Sequence, residues 1–419
     1  MKTSSIKKTI PAGWKTDFLH NYGVKVIDGD RGKNYPSHDE FSTDGYCLFL
    51  NATNVSKQGF IFKDNQFISK EKDSSLGKGK LLRGDLVITT RGTIGNFAYY
   101  SDNIPYEHIR INSGMAVIRN ITELTNLKTE YLLNYFKSSL FTKEIKRVSF
   151  GSAQPQLTIQ IINKFKLNIP KDQNEQNRIV AVMETWDRAV EKLEKKIEIK
   201  KKIKKGLMQE LSRGRLQSEN YKQLELAKIG KLISGGTPSK KVEEYWQGTI
   251  PWISSSDVLE DSISNVHIHR FITNEGINDS ATNIIPQHSI VMVSRVGVGK
   301  LIVNNIALCT SQDFQSLVIN ESQYNPYYLA YVIKEELKKL LLHNQGTSIK
   351  GILKNDLEAL VLKVPEKAEQ DKIAHIVLAA DNEIEKLQTK LSLLKAQRKY
   401  LLNNLVTGAI RTPEKLKIN

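Results

Sequence analysis

Asn325-Pro326-Tyr327-Tyr328 has the residue types of a loop that could hold an amine, since amino-methyltransferases grip theirs with Asn-Pro-Pro-Tyr. The second proline is missing, no glycine-rich cofactor loop follows a strand upstream, and Pro326 stands where a helix would begin, so a helix N-terminus is expected there. Val296-Gly297-Val298-Gly299-Lys300 has the end of a phosphate-binding loop, but Ser294 replaces the first glycine and Leu301 the magnesium-binding hydroxyl; a turn between strands is expected. His267 and His269 alternate on an expected strand with no third metal ligand placed by sequence. Acid pairs such as Glu191 with Glu194 fall on the flank of a long helix, where solvent and not a nuclease centre is their natural setting. No catalytic constellation is left.

What remains are small polar and basic loops. Thr89, Thr90, Arg91 and Thr93 stand in LVITTRGTIG, and Ser294, Arg295 and Lys300 stand in or just after the matching run IVMVSRVGVG, which shares Val87 with Val291, Arg91 with Arg295 and Gly95 with Gly299. Hydroxyl and cationic donors beside glycines suit an approach to phosphate or to a groove edge. Lys78 and Lys80, in Gly77-Lys78-Gly79-Lys80, form a second basic and flexible stretch; Ser152 and the pair Thr347, Ser348 sit in loops that each precede an amphipathic segment.

These loops recur because the chain is a repeat. Glu175, Gln176, Ile179, Asp187, Glu191, Lys192 and Leu193 match Glu369, Gln370, Ile373, Asp381, Glu385, Lys386 and Leu387 at one constant displacement, and Leu207, Leu211 and Gly214 match Leu401, Leu405 and Gly408. The order is globular unit, helix, globular unit, helix. Ile373, Val377, Ala380, Ile384, Leu387, Leu391 and Leu394 keep a 3.5-residue period, as do Ile179, Met183, Trp186, Val190, Leu193 and Ile197. Lys200 and Lys204 then fall where apolar residues are due. Either the face shifts onto Ile199 and Ile203, or those lysines flank a weak point in the packing.

About forty residues at 1.5 Å each make a rod of roughly 60 Å. Two such rods most simply pair as an antiparallel coiled coil with pseudo-two-fold symmetry; the alternative is that each packs on its own unit or on another subunit. The globular units read as mixed α and β, an α+β fold class overall. Strands are expected at Leu86 to Thr90, Ala116 to Ile118, Ile290 to Val293 and Ser316 to Ile319, and helices at Glu130 to Ile145 and Tyr327 to Leu342.

The 419 residues, 40% hydrophobic with a net charge of +16, fit two or three ordinary domains and raise the prior for a polyanionic partner. Cys47 and Cys309, far apart, give no disulfide framework or metal motif and read as core thiols of a reducing compartment. Lys2, Lys7 and Lys8 are followed by Pro11 and Trp14 rather than an apolar run, and no stretch suits a membrane span, so a cytoplasmic protein without membrane contact is expected.

In the segments IPKDQNEQNRI (169 to 179) and VPEKAEQDKI (364 to 373), and in the helix ends KKGLMQELSRGRL and RKYLLNNLVTGAI, the chain resembles the specificity subunit of type I restriction-modification enzymes. Ile10-Pro11-Ala12-Gly13-Trp14, Ser234-Gly-Gly-Thr-Pro-Ser239 and Ile250-Pro-Trp-Ile-Ser254 fit as well. The resemblance implies target-recognition domains at 1–168 and 217–363, conserved helical regions at 169–216 and 364–419, and a non-catalytic reader of a bipartite double-stranded DNA site. It further implies two methyltransferase subunits docked on the helices, and restriction subunits that add ATP-driven translocation and cleavage. S-adenosylmethionine, ATP and Mg are expected on those partners and no cofactor on this chain. A coiled-coil scaffold that joins protein partners without reading DNA is the competing reading.

Overall fold

The computed structural model describes residues 10–121, 127–149, 156–212, 221–259, 262–343 and 351–416. The chain divides into two units, one of residues 1–192 with 391–419 and the other of residues 193–390. Each long helix therefore belongs by halves to both units, a division that cuts across the helical regions read from sequence.

In unit 1, strands Val24–Asp28, Met115–Asn120, Leu86–Thr89 and Phe97–Tyr99 form one antiparallel sheet in that order. The inner strand LVIT is buried throughout because both of its faces are covered. Leu86 and Ile88 enter a core with the helices, whereas Val87 enters a second core with Leu48, Ile109 and Val117. A smaller sheet, in which Cys47–Leu50 runs parallel to Ile109–Ile111, supplies that second core.

Unit 2 repeats the plan. Strands Gly230–Ser234, Phe314–Ile319, Ile290–Val293 and Leu301–Val303 take the same order, and Ile250–Ile253 runs parallel to Leu308–Thr310. The alternation is the same too, with Ile290 and Met292 facing the helical core and Val291 and Val293 the other. Cys47 and Cys309 are both buried in these parallel pairs.

One expected helix is in fact two. Thr129–Phe136 and Ser139–Ser149 are separated at Lys137 and Ser138, where the Ser138 hydroxyl turns back to the Tyr135 carbonyl (2.6 Å) and accepts from the Leu140 N–H (3.2 Å). A serine that satisfies a free N–H in this way starts a new helix rather than continuing the old one. Its counterpart Pro326–His343 is continuous.

The matched Glu-Gln of the repeat explains how each long helix is seated. Gln176 accepts from the Lys128 N–H (3.1 Å) and donates to the Pro170 carbonyl (3.1 Å); Gln370 accepts from the Asn325 N–H (2.9 Å) and donates to the Pro365 carbonyl (2.9 Å). One buried amide thus ties the start of a long helix to the start of the preceding helix and to the two-stranded ribbon between them, Trp14–Phe18 with Lys166–Pro170 or Lys222–Glu225 with Val361–Val364.

The long helices are Gln173–Ser212 and Lys367–Leu405. Within unit 1 they run antiparallel, since Ile179 and Met183 share a core with Leu402 and Leu405 while Asp187 pairs with Arg398. Within unit 2 Lys200 pairs with Glu383 (2.7 Å) and Lys204 with Asp381. The seam residues Trp186, Val190, Leu193, Leu387, Leu391 and Leu394 are half-buried, and Ile197, Ile373, Val377 and Ile384 are buried. Ile199 and Ile203 are 56% and 51% exposed, so the helix does not shift its face. Lys200 and Lys204 stay on the seam and meet carboxylates there, their stems covering apolar surface.

After the second long helix, Gly408 turns at φ 70° against Pro11 and Trp14, where a Cβ would meet the Pro11 ring at 2.5 Å. The N-terminal IPAGW fragment and the GAI that follows that helix are therefore one packing contact.

Candidate nucleic-acid interface

In unit 1 the hairpin between Leu86–Thr89 and Phe97–Tyr99 ends in a polar turn. Gly92 and Gly95 carry positive φ (66° and 84°), and a Cβ on Gly95 would strike Ile145 at 2.9 Å. This glycine is needed for the close approach of the protein's own helix, not of a ligand. Thr89 and Thr90 are buried. The Thr89 hydroxyl donates to the Thr93 carbonyl and accepts from the Asn96 N–H (3.1 Å), so its side chain holds the turn together. Arg91, Gly92 and Thr93 are what the tip exposes.

A segment from much further down the chain, at Gln156 and Leu157, completes this corner. The Leu157 N–H donates to the Thr90 carbonyl (3.0 Å), and the Gln156 amide, with its oxygen turned to the guanidinium, accepts from Arg91 Nε (3.2 Å) and Nη2 (3.1 Å). Beside them opens a pocket of about 400 Å³ lined by Asp28, Arg31, Gln156, Thr158 and Gln160. Arg31 is braced by Asp28 (3.1 Å) and the Ser113 carbonyl (3.2 Å). Guanidinium forks and side-chain amides are the groups that read purine edges in the major groove. Nothing in the residue types or spacing around Arg31, Gln156 and Gln160 singles them out in the sequence.

Unit 2 builds the equivalent corner on the hairpin of Ile290–Val293 with Leu301–Val303. Gly297 and Gly299 have φ 83° and 96°, and a Cβ on Gly299 would meet Leu341 at 3.1 Å. Ser294 is buried, its N–H (2.8 Å) and hydroxyl (3.1 Å) both donating to the Asp313 carbonyl. The Ile352 N–H donates to the Ser294 carbonyl (2.7 Å), as Leu157 does to Thr90. Arg295 and Val296 are exposed at the tip. Lys300 is half-buried and donates to the Val258 carbonyl (3.3 Å).

The Gly77 to Lys80 stretch is pinned rather than loose. Asp30 accepts from the Gly77 N–H (2.8 Å) and Arg110 from below donates to the Lys78 carbonyl (2.6 Å), leaving the Lys78 side chain exposed. Lys80 pairs with the buried Asp73, which also holds Arg110. Burial alone would raise the Asp73 pKa, but Lys80 and Arg110 outweigh it and hold the carboxyl below the ordinary aspartate range. Ser152, Thr347 and Ser348 lie outside the described residues.

The tempting motifs resolve in structural terms. Asn325 caps Pro326–His343, its side-chain oxygen accepting from the Tyr327 and Tyr328 N–H groups (3.0 Å each). His267 and His269 lie in an exposed segment and not on a strand, because only Val266 bridges to Val258 there. Among the described residues no group of His, Cys, Asp and Glu could hold a metal ion, and no helix is long and apolar enough to cross a membrane.

The family model for the type I restriction modification DNA specificity domain matches residues 24–201 and again 218–395. A candidate type I restriction enzyme MjaX specificity subunit of Methanocaldococcus jannaschii is 22% identical over 98% of this chain and 97% of its own length. The EcoR124I/EcoR124II specificity subunit of Escherichia coli is 30% identical over 36% of this chain and 39% of its own. Among solved structures, the S subunit of a type I restriction-modification system from M. genitalium matches with TM-score 0.58 at 14% identity, covering 96% of this chain and 97% of that one. The HsdS subunit from Thermoanaerobacter tengcongensis matches with TM-score 0.52 at 17% identity, covering 96% and 99%.

Proposed function

Because the chain belongs to the type I restriction modification DNA specificity family, we propose that its two units each read one half of a bipartite duplex site, on behalf of catalytic partners. The observation that carries this is the duplicated corner. Each unit presents an exposed arginine, Arg91 or Arg295, on the tip of the same hairpin of the same sheet, with a downstream segment stitched to it by the same backbone bond. Base edges are read by such side chains, and phosphates by the neighbouring lysines and backbone N–H groups.

The chain itself is a non-catalytic subunit. Two methyltransferase subunits, carrying S-adenosylmethionine, dock on the long helices; restriction subunits bring ATP and Mg in complexes that also cut. The whole assembly works in the cytoplasm. Helices of 40 and 39 residues, roughly 60 Å at 1.5 Å per residue, are long enough to space half-sites more than one ~34 Å DNA turn apart.

Electrophoretic shift of a bipartite duplex by the chain with its methyltransferase subunits tests the reading. The complex is expected to prefer the intact site over one with either half scrambled, and the chain alone to transfer no methyl groups. A complex indifferent to both halves, or a scaffold that shifts no duplex at any salt, would contradict it.

A further inference from the structure

The tip of the second corner opens onto a cleft that the duplicated corner does not require. Within unit 2, Gly297 to Lys300 form one wall of a cleft of about 640 Å³ whose other walls are the C-terminal half of Gln173–Ser212 and the helix Pro326–His343. Among the described residues six lysines line it, namely Lys201, Lys204, Lys205, Lys300, Lys334 and Lys338, against one carboxylate, Glu335.

Some of that charge is already matched. Lys338 pairs with Glu335 (2.6 Å), and Lys204 pairs with Asp381 while lying over the Tyr331 ring (5.8 Å). Lys201 and Lys205 are exposed and have no carboxylate partner among the described residues. Among the described residues Lys300 reaches only a backbone carbonyl, that of Val258. A cleft with this surplus is a trap for an extended polyanion.

The charge comes from the helix and not from the reading domain. Residues 217–365 carry 14 basic and 15 acidic side chains, whereas residues 193–216 carry 9 basic and 3 acidic. A domain with a net negative charge must still hold a duplex carrying one negative charge per ~1.7 Å. The helix half belonging to the same unit supplies what the domain lacks, directly beside the hairpin that presents Arg295.

We infer that this lysine cleft seats the phosphate backbone of the duplex next to the second half-site, with Lys201 and Lys205 as phosphate contacts that position and do not specify. The inference rests on the DNA-reading function proposed above. An acidic surface of a partner subunit is the other polyanion that could fill such a cleft. DNA is favoured because the cleft is continuous with the hairpin whose tip carries Arg295.

The test uses the full complex with its methyltransferase subunits and compares wild type, K201Q/K205Q and, as a control, K228Q, at an exposed lysine of the same unit that does not line the cleft. Affinities for the bipartite duplex and for a scrambled duplex are measured from low to high salt. The double variant should weaken both equally and lower the log-log salt slope by about 2, close to one per lost phosphate contact, while the methylated sequence stays the same and K228Q stays as wild type. An unchanged slope, or an equal change in K228Q, overturns the inference. So does weaker assembly of the double variant with methyltransferase subunits in the absence of DNA, which would give the cleft to a protein partner. Failure of the reading itself looks different: the wild-type complex would then not distinguish the bipartite from the scrambled duplex.

Discussion

The two units share a sheet order and a hairpin corner but differ in charge and in how the long helix meets the corner. Residues 1–170 carry 24 basic and 15 acidic side chains, residues 217–365 carry 14 and 15. In unit 1 the helix pair Thr129–Phe136 and Ser139–Ser149 breaks at Ser138, and Asn403 of the second long helix accepts from the free Ser139 N–H (2.7 Å), closing the seat. In unit 2 the matching helix runs unbroken, and Gln209, the repeat counterpart of Asn403, lines an open cleft with the lysines. Apolar alternation and positive-φ glycines thus fix the topology, while charge is free to be carried by whichever element is nearest. One unit brings its own basic surface; the other takes it from a helix.

If the helices set the distance between the two corners, changing their length is the harshest way to break the comparison. Inserting four residues within 195–206 should abolish methylation at the original spacing and restore it at a longer one, with both half-sequences unchanged, as mapped by sequencing of methylated adenines. An unchanged spacer would remove the ruler from the account.

The corners themselves should behave as independent copies. Arg91→Ala should relax one base position in one half-site and Arg295→Ala one position in the other, each by about 1–3 kcal/mol in binding competition. Loss spread over both halves from either change would argue against separate readers.

The repeat-matched aspartates give the finest contrast. Asp381 is 20% exposed at its side chain and takes both Lys204 and the Tyr331 hydroxyl (2.6 Å); Asp187 is 40% exposed and takes Arg398 and Lys137. Asp381→Asn should cost about 1–3 kcal/mol of stability, since it strands a half-buried lysine. Asp187→Asn should cost about 1 kcal/mol or less, because solvent screens a more exposed pair. Burial raises the Asp187 pKa, but Arg398 and Lys137 lower it further, so its folded value lies below the ordinary 3.8. The sign follows: that contribution is present above pH ~4 and is lost as acid takes the pH down through the lowered value. Thermal melting between pH 5 and 3 should show wild type and Asp187→Asn converging.

Much of this was legible in the sequence, and for physical reasons. Strands Leu86–Thr89 and Ile290–Val293 stood out because burial on two faces fills them with apolar residues, Thr89 at the strand end excepted. Pro326 announced its helix because proline suits a first turn. The seam survived Lys200 and Lys204 because carboxylates on the other helix meet them, which no reading of one helix alone can show. The break at Ser138 was hidden, since serine is tolerated inside helices and one of the N–H groups it frees, that of Ser139, is met by residue 403. The corner was half legible. Thr89 and Ser294 look like ligand donors in sequence yet spend their hydroxyls on local carbonyls, while Gln156 and the lysine cleft depend on contacts across long separations.

The central claim is that each unit reads its own half of the site. The direct measurement is adenine-methylation sequencing in cells that supply the methyltransferase subunits, comparing this chain with a chimera in which residues 217–360 come from a relative of different specificity. The account predicts that one half of the methylated motif changes while the other half and the spacer persist. A chimera that alters both halves together, or neither, would contradict it.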